Sequence, residues 1–420
     1  MRLELGTFPV DEVVMGERTH WDSGKLEIDA EGIRRAILSD PRVVEARLEL
    51  IRPGDSVRVT SVRDVLEPRV KVRGPGEAYP GVCGRAVAPV GRGRSHRLSG
   101  IAVVEVAEVD MYTGNDGWLD GFIDMGLGSP VPYTAFPNLC VVLDVDSALD
   151  IEDRNNAAHS AALLVSDQLA ATTVDLDPPE LETFELAEAD PGLPKAVYIT
   201  CHRSPEHYSD SLNAFWTAIY GFTRLTPPWL LHPNELLDGA ISVLTSWELI
   251  NNPIVREMYS RHGVDYNFVG CIAIRTRWSS QAEKDITSLQ AAKVARTMGA
   301  SGAVISYDAG GNDFMEAIRT VQACEQEGVK AIFVTGEESP ATGGPPLLEP
   351  LPEAKAIVST GMGLRGAGFG PLPAVDRVIG KKDLVENGST RQGTVPAAGP
   401  LPGIRWQDHF GFTRLSAYEF

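Results

Sequence analysis

The second half of the chain alternates short apolar runs with amphipathic segments, and this alternation constrains the fold more than any other feature. The segments around residues 280–298 and 313–327 have apolar residues at helical spacing, and the first is predicted to place Ile286, Leu289, Ala292 and Val294 on or near one side of a helix. Buried strands that alternate with such helices predict a mostly parallel sheet with helices packed on it. The runs predicted as strands are Val197–Thr200, Phe268–Ile274, Ala303–Ser306, Lys330–Thr335 and Ala356–Ser359.

The first half of the chain is predicted to be rich in strands. Val44, Ala46, Leu48 and Leu50 alternate with charged residues, which is the period of a strand with one buried face. The stretch 172–195 is acidic and contains prolines, a composition typical of a solvated connector. We therefore predict an α/β protein with a strand-rich N-terminal domain (1–171), an acidic connector (172–195) and an α/β domain with a crevice (196–420).

Composition limits the partners of the chain. The 420 residues carry a formal net charge of −19, and the pI is about 4.9, which argues against nucleic acid as a ligand. Five cysteines without a CxxC pair are typical of a reducing compartment. The N-terminus has no signal-like apolar core, and no apolar run approaches the ~18 residues of a membrane span. The sequence predicts a cytoplasmic protein that does not associate with membranes.

Small and polar residues follow three of the predicted strands directly. Ligands of parallel sheets bind at the carboxyl ends of the strands, so neighbouring strand ends of this composition predict a binding crevice. The alternative for the residues that open a helix is ordinary capping. The residues predicted to bind substrate are Asn312, Asp313, Glu337, Thr360, Gly361 and Gly363.

Several short motifs together resemble a known family. They are Asp238–Ile241, Asn251–Pro253 and Tyr259–Gly263, with Asp64–Val72 and Val90–His96 in the first half. The chain resembles the proprotein subunit of component B of glycine, sarcosine and betaine reductases, to which the D-proline reductase proprotein is related. The resemblance runs from Arg2 to about Asn387.

The glycine-rich stretch Val90–His96 has two interpretations. It can be a loop with solvated arginines. Alternatively, its backbone N–H groups can face an anion such as a carboxylate or phosphate, because glycine allows the required backbone conformation.

The resemblance implies a self-cleavage that this chain is not equipped to perform in the usual way. In the family, the chain is cut after the DGAI-like stretch, before a cysteine that becomes a pyruvoyl group. Here no cysteine lies between Cys201 and Cys271. The hydroxyls in the matching stretch are Ser242, Thr245 and Ser246, and Ser246 is the candidate catalytic residue among them. The sequence predicts a chain without a pyruvoyl group and specifies no other cofactor.

Cys201 and His202 form a second candidate catalytic pair. Thr200–Cys201 is similar to the cut site of the proline reductase relative, and His202 could activate the thiol. A metal site that uses Cys201, His202 or His207 with Glu206 is another interpretation, and ordinary loop residues are a third. Since neighbouring residues of a strand point to opposite faces, Cys201 and His202 share a site only if the chain turns there. We predict no metal.

The resemblance implies an activity and a partner. The first hypothesis is an amine-acting subunit of a two-subunit reductase-like complex, whose partner carries a reactive thiol or selenol and cleaves a C–N bond of a small amino-acid-derived amine. The second is a non-catalytic scaffold subunit that positions this partner. Whether the chain is itself an enzyme therefore stays open between the two hypotheses.

Overall fold

The computed structural model describes residues 1–107, 109, 121–126, 132–202, 228–239, 245–276, 280–307, 312–337, 347, 349–360, 375–380, 410–412 and 416–419. The helices are α1 (Ala30–Ile37), α2 (Ile151–Ala171), α3 (Pro233–Leu237), α4 (Ser246–Ile250), α5 (Pro253–Arg261), α6 (Gln281–Thr297) and α7 (Asn312–Gln326), with a 3-10 turn at Pro132–Ala135. The strands are β1 (Arg2–Pro9), β2 (Glu12–Met15), β3 (His20–Asp22), β4 (Lys25–Ile28), β5 (Val43–Ile51), β6 (Val57–Leu66), β7 (Arg69–Arg73), β8 (Gly93–Ser99), β9 (Ala102–Ala107), β10 (Gly121–Asp124), β11 (Asn138–Val145), β12 (Glu180–Glu185), β13 (Lys195–His202), β14 (Trp229–Leu231), β15 (Asn267–Arg275), β16 (Gly302–Tyr307), β17 (Lys330–Thr335), β18 (Ala356–Ser359), β19 (Arg377–Ile379) and β20 (Ser416–Glu419).

The first half of the chain is strand-rich, as predicted. One sheet has the strand order β12-β1-β8-β7, a second has the order β10-β6-β9-β11-β5 with β19 beside β6, and a small third sheet has the order β2-β4-β3. Helix α2 packs on β9, β11 and β7 and so bridges the two larger sheets. Asp150 begins this helix by accepting a hydrogen bond from the Asp153 N–H.

The central strand β6 is buried along its whole length although it carries charged side chains. Arg58 pairs with Asp124 of β10 at 2.6 Å, and both side chains are almost fully buried. A buried charge is tolerated only when a partner compensates the lost hydration, so charged side chains of β6 recruit partners from neighbouring elements. This strand places Asp64 deep inside the protein.

The second half is built on a mostly parallel sheet, which confirms the predicted fold class. Its strand order is β14-β15-β13-β16-β17-β18-β20, with the two outer strands antiparallel to their neighbours. On one face, apolar residues of the inner strands pack against α6 and α7. On the other face, the sheet contributes to a second apolar cluster that includes residues of α3, α4 and α5.

The two halves share this second cluster. Leu66 of β6 and Val103 of β9 belong to the same group of buried side chains as Tyr198 of β13 and Phe268 of β15. In addition, residues of the predicted acidic connector form β12, which pairs with β1. Part of the predicted connector is therefore a strand of the N-terminal sheet. The predicted domain boundaries stay a prediction.

Two predicted core positions are wrong. Val44 is 62% exposed because Val43 and Glu45 pair with successive residues of β11, which leaves Val44 in a bulge. Ile286 is 59% exposed because α6 buries a face made largely of small residues, including Ala291, Ala292 and Ala295. No helix within the described ranges is long and apolar enough to cross a membrane.

Candidate functional site

The carboxyl ends of β13, β16, β17 and β18 lie along one edge of the parallel sheet, as the strand pattern predicts. In the register of these strands, Cys201 is opposite Tyr307, and Thr335 is opposite Ser359. Because all four strands run in the same direction, the residues that follow them are brought together from distant parts of the chain.

A buried carboxylate marks this edge. Glu337 follows β17 and is only 8% exposed, and its Oε1 accepts a hydrogen bond from the Ser359 hydroxyl. Thr360, the residue after Ser359, is 5% exposed and donates its backbone N–H to the Thr335 carbonyl at 2.9 Å. The Thr360 Oγ1 is buried and has no hydrogen-bond partner among the residues that the structure describes. Glu337 and Thr360, two residues predicted to bind substrate, therefore follow neighbouring strands at the same edge of the sheet.

The other predicted substrate-binding residues are only partly covered by the structure. Asn312 is the first residue of α7, whose N-terminus follows the end of β16. The side chains of Asn312 and Asp313, and the whole of Gly361 and Gly363, lie outside the described part of the chain. Their role in substrate binding stays a prediction.

On the face of the sheet that packs against α3, α4 and α5, buried polar side chains connect β13 and β16 to the start of α5. The Tyr198 hydroxyl is 2.6 Å from the Ser306 Oγ and accepts a hydrogen bond from the Asn252 side chain at 3.0 Å. Asn252 also caps α5 by accepting the N–H groups of Ile254 and Val255. The Asn251–Pro253 motif is thereby tied to the interior of the parallel sheet.

Cys201 and His202 are both fully buried at the end of β13. Cys201 packs with Val197 and Ile199 in the apolar core that faces α6 and α7. His202 has the opposite parity and so lies on the face that carries Tyr198. The two side chains thus point to different faces of the sheet, as strand geometry predicts. Glu206 and His207 lie outside the described residues, and the catalytic role of Cys201 and His202 stays a prediction.

Asp238, the first residue of the DGAI motif, is a buried anchor. Its carboxylate accepts a hydrogen bond from the Gly91 N–H at 2.6 Å and forms short contacts with the Lys71 Nζ and the Ser95 hydroxyl. These three donors come from β7, β8 and the glycine-rich stretch before β8. The anion that this stretch faces is therefore a side chain of the same protein, which joins two of the motifs found in the sequence.

Ser246 anchors the other end of the same segment. Its N–H and its hydroxyl donate to the two oxygens of Asp64 at 2.8 and 2.6 Å. Burial is the largest influence on Asp64 and raises its pKa to about 7, against the opposing effects of His159 and of the Ser246 hydrogen bonds. The stretch 238–246 is thus fixed at both ends to the strand-rich half, at Lys71 and Ser95 on one side and at Asp64 on the other.

A cluster of three buried ionic side chains, Arg63, Glu105 and His159, lies next to Asp64. Arg63 Nε is 3.3 Å from one oxygen of Glu105, and His159 Nδ1 is 2.6 Å from the other. Arg63 also donates to the Asn155 side chain. Burial lowers the pKa of His159, but the Glu105 and Asp64 carboxylates together outweigh this effect, so that the net pKa is raised. Asp64 therefore sits in a region where several ionisable groups influence one another.

The described hydroxyls of the segment that matches the family's cut site make local contacts. The Ser246 hydroxyl donates to Asp64, and the Thr245 carbonyl, which a Ser246 nucleophile would attack, accepts the Leu249 N–H as α4 begins. The Thr245 hydroxyl caps the same helix at Glu248. Ser242 lies outside the described residues, and a catalytic role for Ser246 stays a prediction.

The sequence-based search missed several residues of this site. Asp64, Ser359 and Tyr198 were not predicted as functional, although Asp64 opens a stretch that contributes to the family resemblance. The sequence does contain a signal for Asp64. Arg63 and Asp64 are consecutive charged residues of a strand-like run, and charges in a buried strand need ionic partners. Within the described ranges, no three His, Cys, Asp or Glu side chains are arranged to hold a metal ion.

Comparison with known proteins decides the family. Residues 1–398 match the profile of a family described as "Glycine/sarcosine/betaine reductase component B subunits". The chain belongs to this family. Among curated component B subunits, it is 31% identical over 406 residues to the sarcosine reductase complex component B subunit alpha of Peptoclostridium acidaminophilum, with 92% of this chain and 91% of that one covered.

Two further component B relatives give the same result. The betaine reductase complex component B subunit alpha of Peptoclostridium acidaminophilum is 32% identical over 399 residues, which cover 89% of this chain and 87% of the relative. The glycine reductase complex component B subunits alpha and beta of Acetoanaerobium sticklandii are 30% identical over 407 residues, with 92% and 91% covered. No solved structure matches the chain. The component B family is confirmed.

Proposed function

We propose that this component B-family chain binds the amine of a small amino-acid-derived substrate and presents its C–N bond to a partner subunit with a reactive thiol or selenol. The observation that carries this proposal is the buried Glu337 carboxylate at the carboxyl edge of the parallel sheet. It is oriented by Ser359, and among the described residues no cationic side chain forms an ion pair with it.

A buried carboxylate without a cation is costly, because the lost hydration amounts to several kcal/mol. A protonated amine supplies the missing charge and also N–H donors for the Glu337 oxygens. Charge-assisted hydrogen bonds of this kind are the strong ones in proteins. The arrangement is thus suited to hold a small ammonium group and to keep its proton on the nitrogen.

The proposed reaction follows from this position. The thiolate or selenolate of the partner donates an electron pair to the α-carbon, and a new C–S or C–Se bond forms. The C–N bond breaks with its electron pair on the nitrogen, which leaves as an amine and keeps the proton that Glu337 stabilises. The reducing equivalents come from the partner, and the chain itself supplies binding and orientation. The names of two of the relatives, which are sarcosine and glycine reductase components, support an amine substrate.

The scaffold hypothesis has one observation in its favour. The described hydroxyls of the segment that matches the family's cut site, Thr245 and Ser246, are engaged in capping and in the bond to Asp64. A scaffold subunit predicts one full-length chain by intact mass and complete activity of the complex after any change at Glu337. Two fragments with a carbonyl-reactive N-terminus would support the amine-acting hypothesis in a pyruvoyl form.

The Glu337→Gln variant tests the proposal. We expect amine release by the reconstituted complex to fall about 10- to 100-fold, because the variant keeps the Ser359 hydrogen bond but loses a charged acceptor. The measurement is amine product formed per minute with the partner subunit and a dithiol reductant.

Glu327→Gln is the matched control, since this residue precedes the amino end of β17 and forms a surface pair with Arg296. It is expected to keep full activity. If the Glu337 variant kept full activity as well, the scaffold hypothesis would replace the amine-binding one.

A further inference from the structure

We infer that the carboxyl ends of β13 and β16 hold a second site, in which the hydroxyls of Thr200 and Ser306 donate hydrogen bonds to a small carboxylate anion. This site goes beyond the proposed amine-binding function and shares no residue with it. Glu337 meets Ser359 on the face of the sheet that packs against α6 and α7, because Ser359 has the parity of the buried Ile357. The two hydroxyls lie on the other face.

The two hydroxyls are neighbours in the sheet. Thr200 and Ser306 are directly opposite each other in the register of β13 and β16, and both residues are fully buried. The Ser306 Oγ is 2.6 Å from the hydroxyl of Tyr198, which belongs to the apolar cluster that includes residues of α3, α4 and α5. Since alternate residues of a strand share a face, Thr200 lies on the same face as Tyr198.

The hydrogen bonds around Tyr198 have a fixed direction. The Asn252 Oδ1 accepts the N–H groups of Ile254 and Val255. The Asn252 Nδ2 is therefore the group that donates to the Tyr198 hydroxyl at 3.0 Å. The Tyr198 oxygen accepts this bond and uses its single proton for the Ser306 Oγ. Ser306 is thus an acceptor for Tyr198 and keeps its own proton for a further acceptor.

Thr200 provides the second donor. Its Oγ1 is buried and makes no hydrogen bond with the residues that the structure describes. Burial raises the pKa of Tyr198 to about 12, and the nearby side chains of Ser306 and Thr200 oppose this rise. Thr200 therefore belongs to the same polar group as Ser306. Burying a hydroxyl without an acceptor costs free energy, and a ligand oxygen that accepts both protons removes this cost.

The charge next to the two hydroxyls favours an anion. Arg275 ends β15 opposite His202, which ends β13, and both residues are buried. His202 is two residues beyond Thr200 and so lies on the same face. Arg275 has the parity of Ala273, which belongs to the cluster of that face. A guanidinium beside hydroxyl donors suits a carboxylate and disfavours an ammonium group. Because the hydroxyls are fully buried, the site is suited to an anion of about the size of acetate.

The test uses acetate as the probe and acetamide as its neutral control, with the full-length chain and saturation-transfer NMR. Acetate should bind saturably, and acetamide should not. Ser306→Ala and Thr200→Val should each weaken acetate binding about tenfold, the usual effect of removing a hydrogen bond to a charged group. Thr200→Ser, which keeps the hydroxyl, and Glu337→Gln, which changes only the amine site, should bind acetate like the wild type.

Asn252→Asp tests the direction of the hydrogen bonds. Aspartate still caps α5, but it accepts the Tyr198 proton, so that Ser306 has to donate to Tyr198 and loses its proton for the ligand. Acetate affinity should fall about tenfold. It should return in the double variant Asn252→Asp/Tyr198→Phe, in which Ser306 keeps its proton although the added carboxylate remains. This recovery separates the positioning role of Asn252 from a simple effect of charge.

Several results would overturn the inference. Absence of acetate binding to the wild-type chain would leave only buried water at the two hydroxyls. Binding that Ser306→Ala and Thr200→Val leave unchanged would place the anion elsewhere, and a double variant as weak as Asn252→Asp would refute the role of Asn252. Failure of the amine site is distinct, since it leaves acetate binding intact. Circular dichroism of each variant checks that the fold is retained.

Discussion

Replacement of Asp238 by alanine is expected to lower the free energy of unfolding by about 3–5 kcal/mol, the usual cost of breaking a buried ion pair on one side. Asp238 is 2% exposed, and its carboxylate receives the Lys71 ammonium, the Gly91 N–H and the Ser95 hydroxyl. Without it, Lys71 keeps its charge in a nearly buried position, and two further donors lose their acceptor. Chemical denaturation monitored by circular dichroism measures the change.

Two further variants make this measurement specific. Asp265→Ala removes a carboxylate whose side chain is 55% exposed and pairs with Arg261; surface pairs contribute about 0–1 kcal/mol, so little change is expected. Adding Lys71→Met to Asp238→Ala removes the orphaned charge and should recover part of the loss. A loss for Asp238→Ala no larger than that for Asp265→Ala would show that the DGAI segment is not anchored through this carboxylate.

The second large effect is a pH dependence that comes from Asp64. Its pKa is raised from the ordinary 3.8 to about 7 in the folded protein, chiefly by burial. Between these two values the folded state holds a proton that the unfolded state releases, so the contribution of Asp64 to stability is greatest below about pH 4. This contribution falls as the pH rises towards 7. The total loss is on the order of 4 kcal/mol, because the folded and unfolded pKa values of Asp64 differ by about three.

Asp64→Asn isolates this effect, because asparagine does not titrate and can still hydrogen-bond with the Ser246 N–H and hydroxyl. The free energy of unfolding of the variant, relative to the wild type, should rise by about 4 kcal/mol from pH 4 to pH 8. His159, Glu105 and Arg63 are common to both proteins, so that much of their own pH dependence cancels in the difference. Asp190→Asn at an exposed position is the control. A flat difference between wild type and variant would mean that Asp64 is charged throughout this range.

Local sequence patterns were sufficient to predict most of the parallel sheet. The apolar runs around Ile199, Ile272, Ile305, Phe333 and Ile357 became β13, β15, β16, β17 and β18, because fully buried strands have to be apolar on both faces. The same reasoning placed Glu337 and Thr360 at the carboxyl edge. The same reasoning failed where tertiary packing decides which face of a helix is buried. Ile286 is exposed because small residues form the buried face of α6.

The anchoring of the DGAI segment could not be predicted, because it depends on contacts between residues far apart in the chain. Asp238 meets Lys71, which lies 167 positions earlier, and Ser246 meets Asp64 across 182 positions. Periodicity shows which side chains are buried, but not which charged residue will compensate another. The sequence did predict that the glycine-rich stretch could face a carboxylate, and the structure identifies that carboxylate as Asp238.

Equilibrium binding is the sharpest test of whether Glu337 receives the ammonium group of the substrate. Calorimetric titration with N-methylglycine should show saturable binding to the wild-type chain and to Glu327→Gln, and a loss of about tenfold or more in affinity for Glu337→Gln. The analogue N-acetyl-N-methylglycine, whose amide nitrogen carries no positive charge, should bind none of the three proteins. Equal affinity of the wild-type chain and Glu337→Gln for N-methylglycine would contradict the claim.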